Sequence, residues 1–231
     1  MKPILIGTLS LAFCFALLVL AYAHQSELPF KELSMRFEVN ETDGDGEVVF
    51  SVKASEGLRW LKVFAPDGEI IIFIISNDER TRIDPIGLAQ FNLETGEPSI
   101  DGVKKAYPKG AYQFLARTIN GDRVFGKVDF SHELLSAPIF SPKGEKRVDP
   151  NNAVVRWQPV KGALAYEVEI ENDDLEVNVT AKLPGSATHF NIPQGFLRPG
   201  TEYEVGVTTV TKDGNLSIAE SSFVTQISTG K

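Results

Sequence analysis

The chain has 231 residues, 42% of them apolar, with 23 Lys+Arg against 31 Asp+Glu and a single Cys. This is too apolar for a disordered chain and too poor in Pro and Gly for a collagen-like or low-complexity one. A formal charge of −8 argues against a nucleic-acid binder, which shows a basic footprint, and one Cys rules out an intramolecular disulfide scaffold.

Residues 1–23 read as a signal peptide. Lys2 is their only charge, and an apolar run over residues 4–20 is broken only by Gly7, Thr8 and Ser10. The run ends in Ala21-Tyr22-Ala23, the small-x-small form that signal peptidase reads. Cleavage after Ala23 leaves His24 first; an uncleaved anchor is the alternative, because the run is near bilayer-spanning length. Lipidation of Cys14 is disfavoured by the bulky Phe13 before it and by the apolar residues that continue past it. Cleavage removes Cys14 and takes the formal charge from −8 to −9. A Cys-free chain of about 200 residues must hold its fold by core packing alone, and it is long enough to do so.

Beyond the leader no long segment shows helical spacing, and short β-type runs alternate with turn signals. Such runs occupy residues 35–39, 49–52, 60–64 and 70–75. Asp67-Gly68 between the last two is a hairpin signal. Residues 70–75 are Ile-Ile-Ile-Phe-Ile-Ile, an unbroken apolar run that suggests a strand buried on both faces, with an exposed pairing edge as the other reading. A short helix is expected over residues 101–107, stopped by Pro108 and Gly110. Strands resume at 111–116 and 123–128 around the turn Asn120-Gly121-Asp122. Residues 30–133 thus read as an Ig-like β-sandwich domain.

A second unit opens near Pro138. Its runs fall at 153–157, 165–170, 176–179, 189–192, 201–210 and 217–225. In the fifth, Tyr203, Val205 and Val207 alternate with Glu202, Glu204 and Gly206, one face in and one out. Over residues 138–226 this unit resembles a fibronectin type III domain. The resemblance rests on Pro138, Trp157, Tyr166 and the segment Leu197-Arg198-Pro199-Gly200-Thr201-Glu202-Tyr203-Glu204-Val205. It implies a core built on Trp157, Tyr166 and Leu197, and a tyrosine corner in which the Tyr203 hydroxyl returns to the corner backbone. No Arg-Gly-Asp tripeptide is present, so integrin binding is not implied. The chain beyond the leader also resembles a group of uncharacterised secreted microbial proteins that pair a short β-domain with a C-terminal fibronectin type III domain. Residues 37–45, Trp60, 65–68, Gly87-Leu88, 94–98, 108–112 and Gly214-Asn215 carry that likeness, which implies no activity. The expected fold is therefore all-β, two tandem sandwiches after a signal peptide.

Residues 40–47, Asn-Glu-Thr-Asp-Gly-Asp-Gly-Glu, are the most chemical-looking segment. Ca²⁺ wants hard oxygens on a tight turn, and Asp43 and Asp45 supply them, with Glu94 and Glu97 as distant helpers. An EF-hand is excluded: its closing Glu would fall at 52, which is Val52. The plain alternative is an acidic turn between strands. A His at position 24 resembles the mature start of lytic polysaccharide monooxygenases, where amine and imidazole bind copper with a second His. That partner would be His132, read as a solvated linker residue, or His189 in the second domain, and no other motif of that family is visible. Neither a Gly-x-Ser-x-Gly elbow nor a His-Glu-x-x-His motif occurs.

The reading that follows is a non-catalytic secreted or envelope module that binds or spaces protein or glycan partners. Calcium is its possible cofactor, nucleic acid is not a partner, and membrane contact is expected only with an uncleaved leader. Candidate surfaces are the loops 77–85 and Asp173-Asp174, and Trp60 and Tyr112 as a glycan platform, with core packing as the commoner use of such aromatics. Asn40, Asn178 and Asn215 head glycosylation sequons. Trp157→Ala should cost about 3–5 kcal/mol as a core deletion. A thermal melt unchanged by that substitution would contradict the domain reading.

Overall fold

The computed structural model describes residues 27–76, 86–144 and 146–227. Alternation decides the strands of the first unit. In β2 (Glu32–Asn40), Met35, Phe37 and Val39 are buried while Arg36, Glu38 and Asn40 reach outward. A turn with Gly44 in the left-handed region (φ 79) reverses the chain into β3 (Asp45–Phe64), which pairs antiparallel with β2 from Asp45 to Lys53.

The runs at 49–52 and 60–64, expected as separate strands, are one bent strand of 20 residues. Its first half lies between β2 and β5 (Leu88–Glu94). Its second half lies between β4 (Ile70–Ile75) and β6 (Gly110–Thr118). The register shifts between Lys53 and Leu58, where the strand passes from one group of partners to the other. Gly57 sits at this passage because the backbone of Ile86 approaches it: a Cβ there would fall 1.7 Å from the Ile86 carbonyl oxygen. From β6 the sheet continues through β7 (Arg123–Phe130) to β1 (Leu28–Pro29). Phe37, Phe50, Leu58, Leu61, Tyr112 and Phe114 fill the space enclosed, each contributing about 1.5–3 kcal/mol by burial. The expected helix is α1 (Ile100–Ala106), started by Ser99, whose Oγ accepts from the Gly102 N–H at 3.3 Å, and ended at Tyr107 before Pro108.

One expectation fails at β4. Burial on both faces needs layers on both sides, and β4 is an edge strand whose only neighbour among the described residues is β3. Ile72 and Ile74 pack on the core, while Phe73 and Ile75 are 52% and 56% exposed.

The second unit has two layers. One holds β8 (Phe140–Ser141), β10 (Val154–Trp157) and β13 (His189–Asn191). The other runs β12 (Val177–Pro184), β11 (Ala165–Asn172), β14 (Glu202–Val210) and β15 (Leu216–Thr225), with β9 (Arg147–Val148) on the end of β15. Trp157, Tyr166, Val168, Ile170, Tyr203 and Phe223 are buried between them. The sheets of the two units are continuous: β15 pairs parallel with β2, with Leu216 opposite Glu38, Ser217 opposite Val39 and Ile218 opposite Asn40.

Gly57→Ala, which forces Ile86 away from β3, should destabilise the chain by about 1–3 kcal/mol, as an overpacked site does. The urea midpoint reads this directly, and an unchanged midpoint would mean that the bend is looser than described.

Candidate functional site

The seam between the units is built from few residues. Asn215 ends the turn joining β14 to β15, held there by Thr211: the Asn215 N–H donates to Thr211 Oγ1 at 3.0 Å, and the Thr211 N–H to the Asn215 carbonyl at 2.9 Å. Gly214 supplies the positive φ (86°) that the turn needs. The Asn215 side chain, 1% exposed, then crosses the seam. Its Oδ1 accepts from the Phe37 N–H at 2.9 Å, and its Nδ2 donates to the Ser131 and Glu133 carbonyls at 3.1 and 3.0 Å. One amide thus fixes β2 and the connecting segment to the second unit. Glu41 adds two bonds, its N–H to the Ile218 carbonyl at 2.9 Å and its Oε1 accepting from the Ala137 N–H at 2.8 Å.

His132, expected as a solvated linker residue, is half-buried in this joint. Its Nε2 lies 2.8 Å from the Tyr107 carbonyl, and its ring packs on Phe37 and Phe130. A carbonyl only accepts, so Nε2 carries the proton in that contact. The Asn215 sequon is likewise absorbed: its amide is buried and fully engaged. Asn40 bonds Asp43 and Glu220, while Asn178 stands exposed on β12.

An open acidic groove runs across the outer face of this sheet. Opposed residues set its rows: Glu220 faces Gly206, which faces Glu169, and Ser222 faces Glu204, which faces Glu171. Gly206 has no side chain, which lowers the floor between Glu220 and Glu169. The groove encloses about 650 Å³; Asp43 reaches it from the first unit, and Asp173 and Asp174 from the short turn after β11. Among the described residues no lysine or arginine lines it. A smaller cavity of about 270 Å³ adjoins it and shares Asp43 and Glu220; Asp45, Glu47, Glu97 and Glu38 complete its acidic lining. Such a surface can hold positive charge.

Asp43 and Asp45 therefore share one cavity, and Asp43 accepts from Asn40 Nδ2 at 3.0 Å. Among the described residues no group of three or more His, Cys, Asp or Glu is arranged to hold a metal ion. His24, the leader and loop 77–85 lie outside the described residues, and His189 is exposed on β13. Tyr112 is core: it is fully buried, its hydroxyl donates to the Pro108 carbonyl at 2.9 Å, and burial pushes its phenol up to about 12. Trp60 is half-exposed on β3. Trp157 and Leu197 are buried, the Tyr166 hydroxyl accepts from the Val160 N–H at 2.7 Å, and the Tyr203 hydroxyl accepts from the Arg198 N–H at 2.9 Å. Sequence reasoning missed Glu220 and Glu204 as neighbours of Asp43. The alternation around Tyr203 marks Glu204 as outward-facing, but nothing local reveals which strand comes beside it.

The carboxylates of the small cavity depart from ordinary behaviour. Glu47, opposite Glu38 across the β2–β3 ladder, is raised to about 7, first by desolvation and then by repulsion from Glu38, Glu94 and Glu97. Burial also raises Glu38, against the opposing pull of its ion pair with Arg36. Glu220 is raised by burial, opposed by its hydrogen bond from Asn40.

The family model of the fibronectin type III domain matches residues 140–226, and the C-terminal unit is a fibronectin type III domain. No curated protein matches the chain. Solved structures similar in fold include the FN1–FN3 domains of chicken CNTN1, 11% identical, covering 87% of this chain and 65% of that one, with a TM-score of 0.37. A two-domain fibronectin type III segment from chicken tenascin is 15% identical, covering 84% and 97%, at 0.34. An Fn3-like protein from Clostridium thermocellum is 23% identical, covering 42% and 99%, at 0.28. Among the described residues no helix is long and apolar enough to cross a membrane.

A folded-state pKa raised above the ordinary carboxylate value favours the folded state in acid, an advantage lost as pH rises through it. With Glu47 at about 7, the urea midpoint should fall between pH 5 and pH 8. Glu47→Gln should flatten that fall and raise the midpoint at pH 8. A midpoint that climbs with pH would contradict the carboxylate geometry.

Proposed function

We propose that the chain is a non-catalytic secreted or envelope module that binds or spaces protein or glycan partners, with its two units acting as one rigid body. The observation that carries this reading is the sheet running unbroken from β2 into β15, riveted by the buried Asn215 amide. Two sandwiches on a free linker would sweep many orientations. A shared sheet fixes a single distance and angle between their ends, which is what a spacer needs. The leader read over residues 1–23 supports a place outside the cytosol, where a disulfide-free sandwich must rely on packing and such seams.

A calcium-stabilised version is the second reading, favoured by the shared acidic cavity of Asp43 and Asp45. A melt raised by millimolar Ca²⁺ and reversed by EDTA would support it, since a ligand that binds only the folded state stabilises it. The copper reading would require His24 with His132 or His189, and His132 would have only Nδ1 to offer while Nε2 serves Tyr107.

Small-angle scattering of the chain tests rigidity. The profile should fit one conformation at every salt concentration. Asn215→Ala leaves the Phe37 N–H without its acceptor and should cost about 1–3 kcal/mol. It should also open the 131–137 segment to proteolysis. An intact chain whose scattering needs many relative orientations would overturn the spacer reading.

A further inference from the structure

We infer that Asn178 is the acceptor of an N-linked glycan, and that Asn40 and Asn215 are not. The inference rests on the extracytoplasmic reading above, because the transferases that build this bond act beyond the cytosolic membrane. Three Asn-x-Ser/Thr sequons compete: Asn40-Glu41-Thr42, Asn178-Val179-Thr180 and Asn215-Leu216-Ser217. Each has a carboxylate two residues before its Asn, in Glu38, Glu176 and Asp213, the longer acceptor form that some bacterial oligosaccharyltransferases require. Sequence therefore ranks the three equally, and the fold separates them.

In the transfer, the Asn Nδ2 displaces a lipid diphosphate from the anomeric carbon of a lipid-linked oligosaccharide. An N–C bond forms, the anomeric C–O bond breaks, the diphosphate leaves with the electron pair, and the amide nitrogen loses one proton. The acceptor thus needs open space beyond Nδ2 and a segment that can leave its sheet. Asn215 has neither: it is 1% exposed, as is Ser217, and its Nδ2 is enclosed by the Ser131 and Glu133 carbonyls. The Asn40 sequon is locked in the seam. Its Nδ2 donates to Asp43 and Glu220 at 3.0 and 2.7 Å, its Oδ1 accepts from the Thr42 N–H at 2.9 Å, and Thr42 Oγ1 accepts from the Glu220 N–H at 2.8 Å. Its strand is also paired on both sides, with β3 and with β15.

Asn178 differs on each count. β12 is the last strand of its sheet and pairs only with β11 among the described residues. Asn178 and Thr180 are both exposed on its outer face, and Thr180 Oγ1 donates to Asn178 Oδ1 at 3.1 Å, so the two groups of the sequon already stand together at the surface. Asn178 Nδ2 donates to Glu169 and Glu171, at 2.5 and 3.2 Å; one N–H remains after transfer to keep one of these bonds. The sequon follows the turn Asp173–Leu175, after which Glu176 takes φ 52, a left-handed conformation uncommon for a residue with a Cβ. A strand held from one side and entered through such a turn opens at less cost than one inside the sheet. Glu169 and Glu171 line the acidic groove, so the glycan would rise from its rim and shield the open edge of the sheet.

The test takes the full chain, expressed in its own cells with its own leader, from the medium or envelope, and weighs its proteolytic peptides. The peptide holding Asn178 should exceed its sequence mass by a set of sugar residues and release sugar ions on fragmentation, while those holding Asn40 and Asn215 should match their sequence masses. Asn178→Gln and Thr180→Ala should each remove the increment, and Thr180→Ser should keep it. An exported chain with Asn178 unmodified would overturn the proposal and leave the spacer reading standing; a glycan on Asn40 or Asn215 would overturn it as well. A chain recovered only from the cytosol would instead overturn the extracytoplasmic reading, and this proposal with it.

Discussion

A single buried amide carries the joint on which this architecture depends. The Asn215 side chain accepts one hydrogen bond, from the Phe37 N–H, and donates to the Ser131 and Glu133 carbonyls, so that every one of these bonds ties the second unit to β2 or to the connecting segment. Buried polar groups are expensive unless satisfied, so this network has one good arrangement and many poor ones. That asymmetry fixes β2 beside β15. The continuous sheet, the buried position of His132 and the meeting of Asp43 with Glu220 all follow from it.

The same joint concentrates negative charge. β2, β3 and β15 each point a glutamate outward, which is ordinary for a half-buried strand standing alone. Bringing the three strands together places Glu38, Glu47 and Glu220 around one cavity, and their raised pKa values record the resulting repulsion and desolvation. The seam is thus a balance between the hydrogen bonds that hold it, the Glu41 carboxylate among their acceptors, and the clustered carboxylates of the small cavity that strain it. Acid relieves the strain, and a bound cation would do so by another route.

Much of the fold was legible because it is local. Alternation in 35–39 and 202–207 marked strands with one wet face, and Asp67-Gly68 and Asn120-Gly121 marked turns whose glycines, Gly68 and Gly121, take positive φ. Trp157, Tyr166 and the corner around Tyr203 together carried the second domain. What failed was long-range. Six apolar residues read as a doubly covered strand, because composition cannot tell a central strand from an edge; β4 is an edge. Residues 49–52 and 60–64 read as two strands because a bend with Gly57 looks like a break. The Asn215 sequon looked like a surface motif, and nothing within the sequon says that Phe37, 178 residues earlier, lies against it. The acidic surface was missed for the same reason: its members lie on β2, β3, β11, β14 and β15, and only the cross-unit pairing brings them together.

Amide hydrogen exchange at Phe37 and Glu41 tests the rigid joint most directly, because each of those N–H groups in the first unit donates to an acceptor in the second. If the units form one body, both amides exchange only through global unfolding, with protection equal to that of core amides such as those of β14. Exchange at both positions as fast as in an open linker, with the two cores still protected, would show that the units move independently and that the shared sheet does not persist in solution.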